Sequence, residues 1–255
     1  MNMKRNKWRM ILDIARTELQ TLFYSPIAWL TLIIFVVQAS MTFSSVFGTY
    51  VERFNLGYRP VNLTQGIFSG FRGLYSSILP YLFYYFPLLT MGLMSRELSS
   101  GSVKLLYSSP VNNIQIILGK FVSMMIYALV FVGILLVFII FGACTIDHFD
   151  FWLTVSGLLG VYLLICSYAA IGLFMSSLTS YQIVAALGTL SILFVLNMVG
   201  GLWQDIEWVR DITWWLSISG RANEFISGLI CSEDVLYFVF VTGLFLTLSV
   251  LRLNA

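Results

Sequence analysis

Few side chains in this sequence could do chemistry, and their spacing argues against most of it. The single histidine, His148, has no companions with which to form a ligand cluster and reads as a polar loop residue. Three cysteines, Cys144, Cys166 and Cys231, are too few and too scattered for a disulfide framework or a metal site. With one loop histidine, no serine–histidine pair suggests itself as a nucleophile and base. The only Gly-Lys pair, Gly119-Lys120, has Ile114 where a phosphate-binding loop needs its first glycine and Phe121 where it needs Ser or Thr. Asp147, Asp150, Asp205, Glu207, Asp211, Glu224, Glu233 and Asp234 could supply a carboxylate pair or a cation site, but a charge-rich, solvated loop is the plainer reading. No catalytic, cofactor-binding or metal-ligating residue is assigned.

The elements that would carry such residues are of a different kind. Of 255 residues, 59% are hydrophobic and 10% charged, and the mean hydropathy is +0.89. A soluble domain carries roughly 25% charged residues, so most of this surface faces something other than water. The net charge of +2 gives no reason to expect nucleic acid as a partner. Stretches free of Asp, Glu, Lys and Arg run over 19–51, 73–95, 121–146, 151–204 and 235–251. A spanning helix needs about 20 residues, and the fourth stretch, broken by the polar segment Ser176–Gln182, holds two. The expectation is an all-α polytopic membrane protein of one domain, 1–255, with six spans near 27–47, 74–94, 119–143, 152–174, 183–203 and 235–252. Helices follow because the stretches are continuously apolar and lipid offers no partner to open backbone groups.

Nine of the 14 basic residues fall on the side of the N-terminus: Lys4, Arg5, Lys7, Arg9, Arg16, Arg96, Lys104, Lys120 and Arg252. The positive-inside rule then puts both termini in the cytoplasm. Lys120 and Arg252 lie at span ends, where a long side chain can reach the interface. Ion-coupled carriers place ionisable groups at membrane depth; their near absence from these spans weakens that reading, so any active transport must draw on another subunit. Asp13, Arg16 and Glu18 interrupt the apolar core a signal peptide would need, and residues 1–25 read as retained sequence. Trp8, Ile11, Leu12, Ala15, Leu19 and Leu22 recur at helical spacing, the pattern of an amphipathic helix lying in the membrane interface. Pro26 is placed to open the first span.

Between the second and third spans, the segment 95–112 carries Arg96, Glu97 and Lys104 beside Leu98, Val103, Leu105 and Leu106, the makings of a short helix with one apolar face. Gly101 interrupts it, and Pro110 stops its continuation. An acidic residue, then Gly-Ser, a charged residue with a Leu-Leu pair, Pro-Val, and a Gly-Lys at the next helix resembles the signature of ABC-2-type permeases, the membrane subunits of one class of ABC transporter. Glu97, Gly101, Ser102, Lys104, Leu105, Leu106, Pro110, Val111, Gly119 and Lys120 carry the match; the family more often has an acid where Lys104 stands. Ala170–Ser180 and the stretch from Ile218 to Phe238 are similar to the family's fourth-span exit and to its approach to the last span. The combination looks most like the permeases of gliding-motility and nitrous-oxide-reductase-accessory transporters.

The resemblance implies a permease subunit of an ABC exporter in a bacterial inner membrane, needing no cofactor of its own. It implies a second permease chain, the same or homologous, and two copies of a separate ATPase that carries out the hydrolysis. Arg96, Glu97, Gly101, Ser102, Lys104, Leu105, Leu106 and Pro110 would serve ATPase coupling, and residues 204–234 would form a re-entrant or helical hairpin region on the outer side. A non-transporting anchor of a motility or secretion complex, or an integral-membrane enzyme acting on lipid, would share the topology. The glycine-rich stretch 48–73 suggests a mobile connection to which the sequence assigns no task.

Overall fold

The structure, a computed structural model, describes residues 3–57, 62–102, 112–146, 148–199, 213, 217–229 and 231–254. Every regular element among them is helical: Met3–Tyr24 (α1), Pro26–Asn55 (α2), a π turn Gln65–Ser69, Leu74–Thr90 (α3), Ser95–Ser100 (α4), Asn113–Thr145 (α5), Phe151–Leu178 (α6), Gln182–Met198 (α7), Ile218–Ile226 (α8) and Ser232–Asn254 (α9). Five segments are long and apolar enough to cross a membrane: α2, the region Gln65–Ser100 containing α3, α5, α6 and α9. A sixth apolar helix, α7, is 17 residues long, at the short edge of the spanning range.

Local sequence explains where the helices begin. Pro26 occupies the first turn of α2, where its missing N–H breaks no bond. Asn112 and Gln115 form a reciprocal capping box at the start of α5. Asp150 caps α6, accepting from the Leu153 N–H at 3.2 Å. The capping box starts α5 several residues before the span expected from hydrophobicity, and α2 and α9 also run past theirs, to Asn55 and from Ser232 to Asn254.

Successive long helices run in alternating directions, shown by contacts at their ends. At one end, the Asn113 side chain donates to the Leu253 carbonyl (3.2 Å) and to Asn254 Oδ1 (2.8 Å), and Ser176 meets the turn after α3. At the other, Asp150 N–H donates to Thr64 Oγ1 (3.2 Å) and Tyr75 to the Thr154 carbonyl (2.7 Å). The N-terminal helix and the last turn of α9 therefore share an end with α4.

Helix α6 is the centre of the bundle. Its most apolar stretch is 72% buried, against 28–50% for the other four spanning candidates, as expected of a helix apolar on all sides. In lipid, close helix packing favours small residues, and α6 supplies them. A Cβ on Gly157 would lie 2.6 Å from the Tyr75 ring, one on Gly160 2.4 Å from Phe225, and one on Gly172 2.0 Å from the Thr90 hydroxyl.

Two expectations need correction. Glycine spacing in 48–73 suggested mobility, but α2 continues to Asn55 and the π turn sends Ile67 and Phe68 into the core, 1% and 0% exposed. Asp234 was read as part of a solvated loop; it is 1% exposed and paired with Arg221 at 2.5 Å. A carboxylate can be buried here because the Arg221 guanidinium is buried with it as its counter-ion. Of the region 204–234, the structure describes residue 213, α8 with the turn behind it, and residues from 231; the remainder of the expected hairpin lies outside the described residues.

Candidate functional site

The segment leaving α3 is bent rather than continuous. Pro80 and Pro87 lie inside α3, and each removes one backbone hydrogen bond. Residues 91–94 form a turn, and α4 follows as a six-residue helix. A helix that starts inside a packed protein must find acceptors for its first N–H groups. Ser176, near the end of α6, supplies one: its hydroxyl accepts from Met94 N–H (2.9 Å) and Ser95 N–H (3.0 Å) and donates to the Met91 carbonyl (2.9 Å). At its far end α4 stops at Gly101, whose φ of +70° is left-handed, a backbone state glycine enters freely.

Against this bent segment lies Lys120, two turns into α5. Its side chain is 1% exposed. The ammonium donates to Glu97 Oε1 on α4 (2.7 Å), to the Leu93 carbonyl in the turn (2.7 Å), and to Glu18 on α1. Three donors meet three acceptors, the full capacity of an ammonium group. The Glu18 and Glu97 side chains are 19% and 24% exposed, yet the second carboxylate oxygen of Glu97 is buried without a partner, so Lys120 is what offsets the burial of that charge. Lys120 was expected to extend toward the interface; instead it turns inward because two acids and a carbonyl converge on it.

The sequence permits that convergence through Gly119. A Cβ there would approach the Ile14 side chain to 2.7 Å and the Ile11 carbonyl to 3.2 Å, so only glycine lets α1 lie directly on α5. Along α1, Ile11, Ala15 and Leu22 are buried at 7%, 1% and 8%, with Leu19 packed beside them. Trp8 and Leu12, on the neighbouring face, are 72% and 58% exposed. The expected apolar stripe thus splits between packing on α5 and an outward face. Glu18 falls within the packed face at helical spacing from Ile11, Ala15 and Leu22. From the sequence it served only as one of the charges that interrupt a signal-peptide core; a carboxylate inside an apolar stripe was the available signal.

The other residues expected to serve coupling divide into two groups. Arg96 is exposed with its guanidinium over Gly92, and the Ser102 hydroxyl lies 2.7 Å from that of Ser100. Lys104, Leu105, Leu106 and Pro110 lie outside the described residues, as does Val111.

At the opposite end, Arg221 of α8 is 5% exposed. It pairs with Asp234 in the first turn of α9, and its guanidinium sits 4.9 Å from the centre of the Tyr237 ring, a cation–π distance. Carboxylate and thiol atoms of Glu224, Cys231 and Asp234 lie within 4.8 Å of one another. Burial, followed by hydrogen bonding and charge repulsion from Asp234, pushes the Glu224 carboxyl above the usual range; Arg221 acts against this and Glu233 with it. The guanidinium already neutralises Asp234, so this group reads as a buried ion pair with a second acid leaning on it.

A turn and short helix tied to a buried lysine at one end of a bundle of long apolar helices is an arrangement suited to a membrane-embedded protein. The sequence matches the family described as ABC-2 family transporter protein over residues 12–206. The chain belongs to that family and is an ABC transporter permease of the membrane. Among curated proteins, none matches the chain.

Proposed function

We propose that this permease works as one half of an exporter, facing a second permease chain and driven by two copies of a separate ATPase bound at the end that carries α1, α4 and both termini. In this reading that end is cytoplasmic and the membrane is a bacterial inner membrane. The supporting observation is the junction at Lys120. One side chain bonds simultaneously to α1, to the turn below α3 and to α4, so a push on α4 or on residues 103–111 reaches two spanning helices and the N-terminal helix together. Helices α1 and α4 then act as a single lever, with Arg96, Glu97, Gly101, Ser102, Lys104, Leu105, Leu106 and Pro110 as the surface that the ATPase grips. Trp8 and Leu12, exposed on α1, would rest in the membrane interface beside it.

A cavity of about 430 Å³ lies between the first half of α3, the middle of α6, the end of α7 and α8, lined by Leu79, Phe83, Tyr84, Tyr168, Asn197 and Asn223 among others. It is mostly apolar with a few polar groups, the usual make-up of a small-molecule site, and belongs to the substrate path completed by the second chain.

The test is co-purification from membranes followed by reconstitution. An ATPase should accompany the chain, and its turnover in vesicles should rise with transport. Glu97→Gln should lower that stimulation while leaving the complex assembled. A chain that purifies without any ATPase, or whose partner hydrolyses ATP at one rate with or without transport, would be an anchor and not an exporter subunit.

A further inference from the structure

The stretch between α2 and α3 has no place in the coupling account, yet its sequence is unusual: Gly66, Gly70 and Gly73 are spaced four and three apart, with Arg53 before them and Arg72 among them. All three glycines sit at close approaches, and at Gly70 and Gly73 the neighbour is backbone that cannot move aside. A Cβ on Gly66 would lie 1.9 Å from the Tyr50 hydroxyl oxygen, so the ring of Tyr50 rests directly on the π turn. One on Gly70 would lie 2.8 Å from the Gly66 carbonyl, and one on Gly73 2.7 Å from both the Gly70 nitrogen and the Phe68 carbonyl. The chain doubles back on itself, closed by the Gly73 N–H on the Gly70 carbonyl at 2.7 Å. Below, Phe68 packs against Phe43, Tyr75 and Phe149. This is a fixed turn, and π turns recur at functional positions.

What the turn accomplishes is to carry Arg72 to the same cavity as Arg53. The space, about 430 Å³, is lined by Ser45, Val46, Thr49, Tyr50 and Arg53 of α2 and by Gly66, Gly70, Phe71 and Arg72 of the turn. Among the described residues no acidic one lines it. Among the described residues neither arginine takes part in an ion pair, and the nearest acid in sequence, Glu52, is exposed and outside the lining. Arg53, in the last turn of α2, is accounted for by the negative end of its own helix dipole; Arg72, on a separate element, is not. Two guanidinium groups at one mouth repel each other unless an anion lies between them. Phe71, which lines the cavity beside Arg72, is 97% exposed.

We propose that this cavity, at the end of the bundle opposite the termini, binds a phosphoryl anion. Guanidinium groups match phosphate oxygens in paired, planar hydrogen bonds, and the hydroxyls of Ser45 and Tyr50 supply further donors. The exposed Phe71 ring beside Arg72 suits an amphiphile whose phosphate enters the cavity while its chains stay in the bilayer. The chemistry recognised is the phosphoryl group, whether borne by a lipid or free in solution.

The test uses the full chain, purified, in two arms. In the first, native mass spectrometry follows retention of phosphatidylglycerol by the unaltered protein, by Arg53→Gln/Arg72→Gln, and by the control Arg9→Gln/Arg16→Gln at the other end. In the second, inorganic phosphate is compared with chloride at matched ionic strength for its effect on the melting temperature. A drop in lipid adducts of fivefold or more in the first double variant alone supports the proposal with a lipid as the source. Stabilisation by phosphate that this variant alone loses, with lipid adducts unchanged, supports it with a soluble source. If the variant and the unaltered protein behave alike in both arms, or the control loses lipid equally, the proposal is overturned. Both arginines are exposed, so the variant should fold; a melting temperature in chloride within a degree or two of the unaltered protein's checks that.

Discussion

Lys120 is held by three acceptors, and its removal leaves Glu18 and Glu97 facing each other without a cation. Breaking a buried pair from one side costs about 3–5 kcal/mol, so Lys120→Met should sharply lower the melting temperature of the purified protein. Replacing all three charges together, as Glu18→Gln/Glu97→Gln/Lys120→Met, should restore most of that stability, because a buried ionic cluster exchanged for neutral groups is often close to neutral. If transport-linked ATP hydrolysis remains low in the triple variant, the junction transmits motion; full recovery of activity would mean that it only holds the fold. Glu224 gives a second prediction, with a definite sign. Its carboxyl titrates above the usual range when folded, so over that window the native state binds more protons than the unfolded chain and stability falls as pH rises through it. Glu224→Gln should flatten this dependence and raise the melting temperature at neutral pH, measured across pH 4 to 8. Glu97 and Lys120 were legible in the sequence as members of a pattern, but their contact was not. Which acid meets which base depends on how α1 lies across α5, and that is set by the absence of a side chain at Gly119.

At the level of helices, close approach decides which glycines matter. A methyl group at Gly172 would lie 2.6 Å from Thr90 Cβ as well as 2.0 Å from its hydroxyl, forcing α3 away from α6. Overpacking of this kind typically costs about 1–3 kcal/mol, and Gly172→Ala should lower the melting temperature accordingly. Gly133 in α5 has nothing within 4 Å of the same position; Gly133→Ala should be neutral or stabilise by up to about 1 kcal/mol through the usual cost of glycine in a helix. Equal effects at the two sites would contradict the packing described. The spanning helices themselves were readable because lipid leaves the backbone no alternative and long charge-free runs declare themselves. Their ends were not, since Asn112, Asp150 and Ser232 look like loop residues until they are seen to begin helices. The glycines of 66–73 were misjudged for a related reason. Spacing alone does not distinguish a glycine that frees the chain from one that lets two backbones touch.

Across the whole molecule, alternating helix directions place α4, α1 and the last turn of α9 together, and Arg53, Arg72 and Cys231 at the far end. Under the proposed orientation, a membrane-impermeant maleimide applied to intact cells should label the exposed Cys231. It should leave Ser99→Cys, in a Cys231→Ser background, unlabelled until the cells are permeabilised. The reverse pattern would invert the topology and remove α4 from reach of any ATPase. The distribution of basic residues gives the bundle an expected direction, which the labelling decides; the partner of each long helix was not legible, because apolar runs of similar composition can pack in many orders. One contact between distant parts of the chain has a practical consequence. The Asn113 side chain clasps the Leu253 carbonyl and Asn254, so a bulky fluorescent reporter fused behind α9 would hang directly beside the segment that leads into α5. Such a fusion should insert normally yet crowd out the docking protein, whereas a short epitope there should be tolerated.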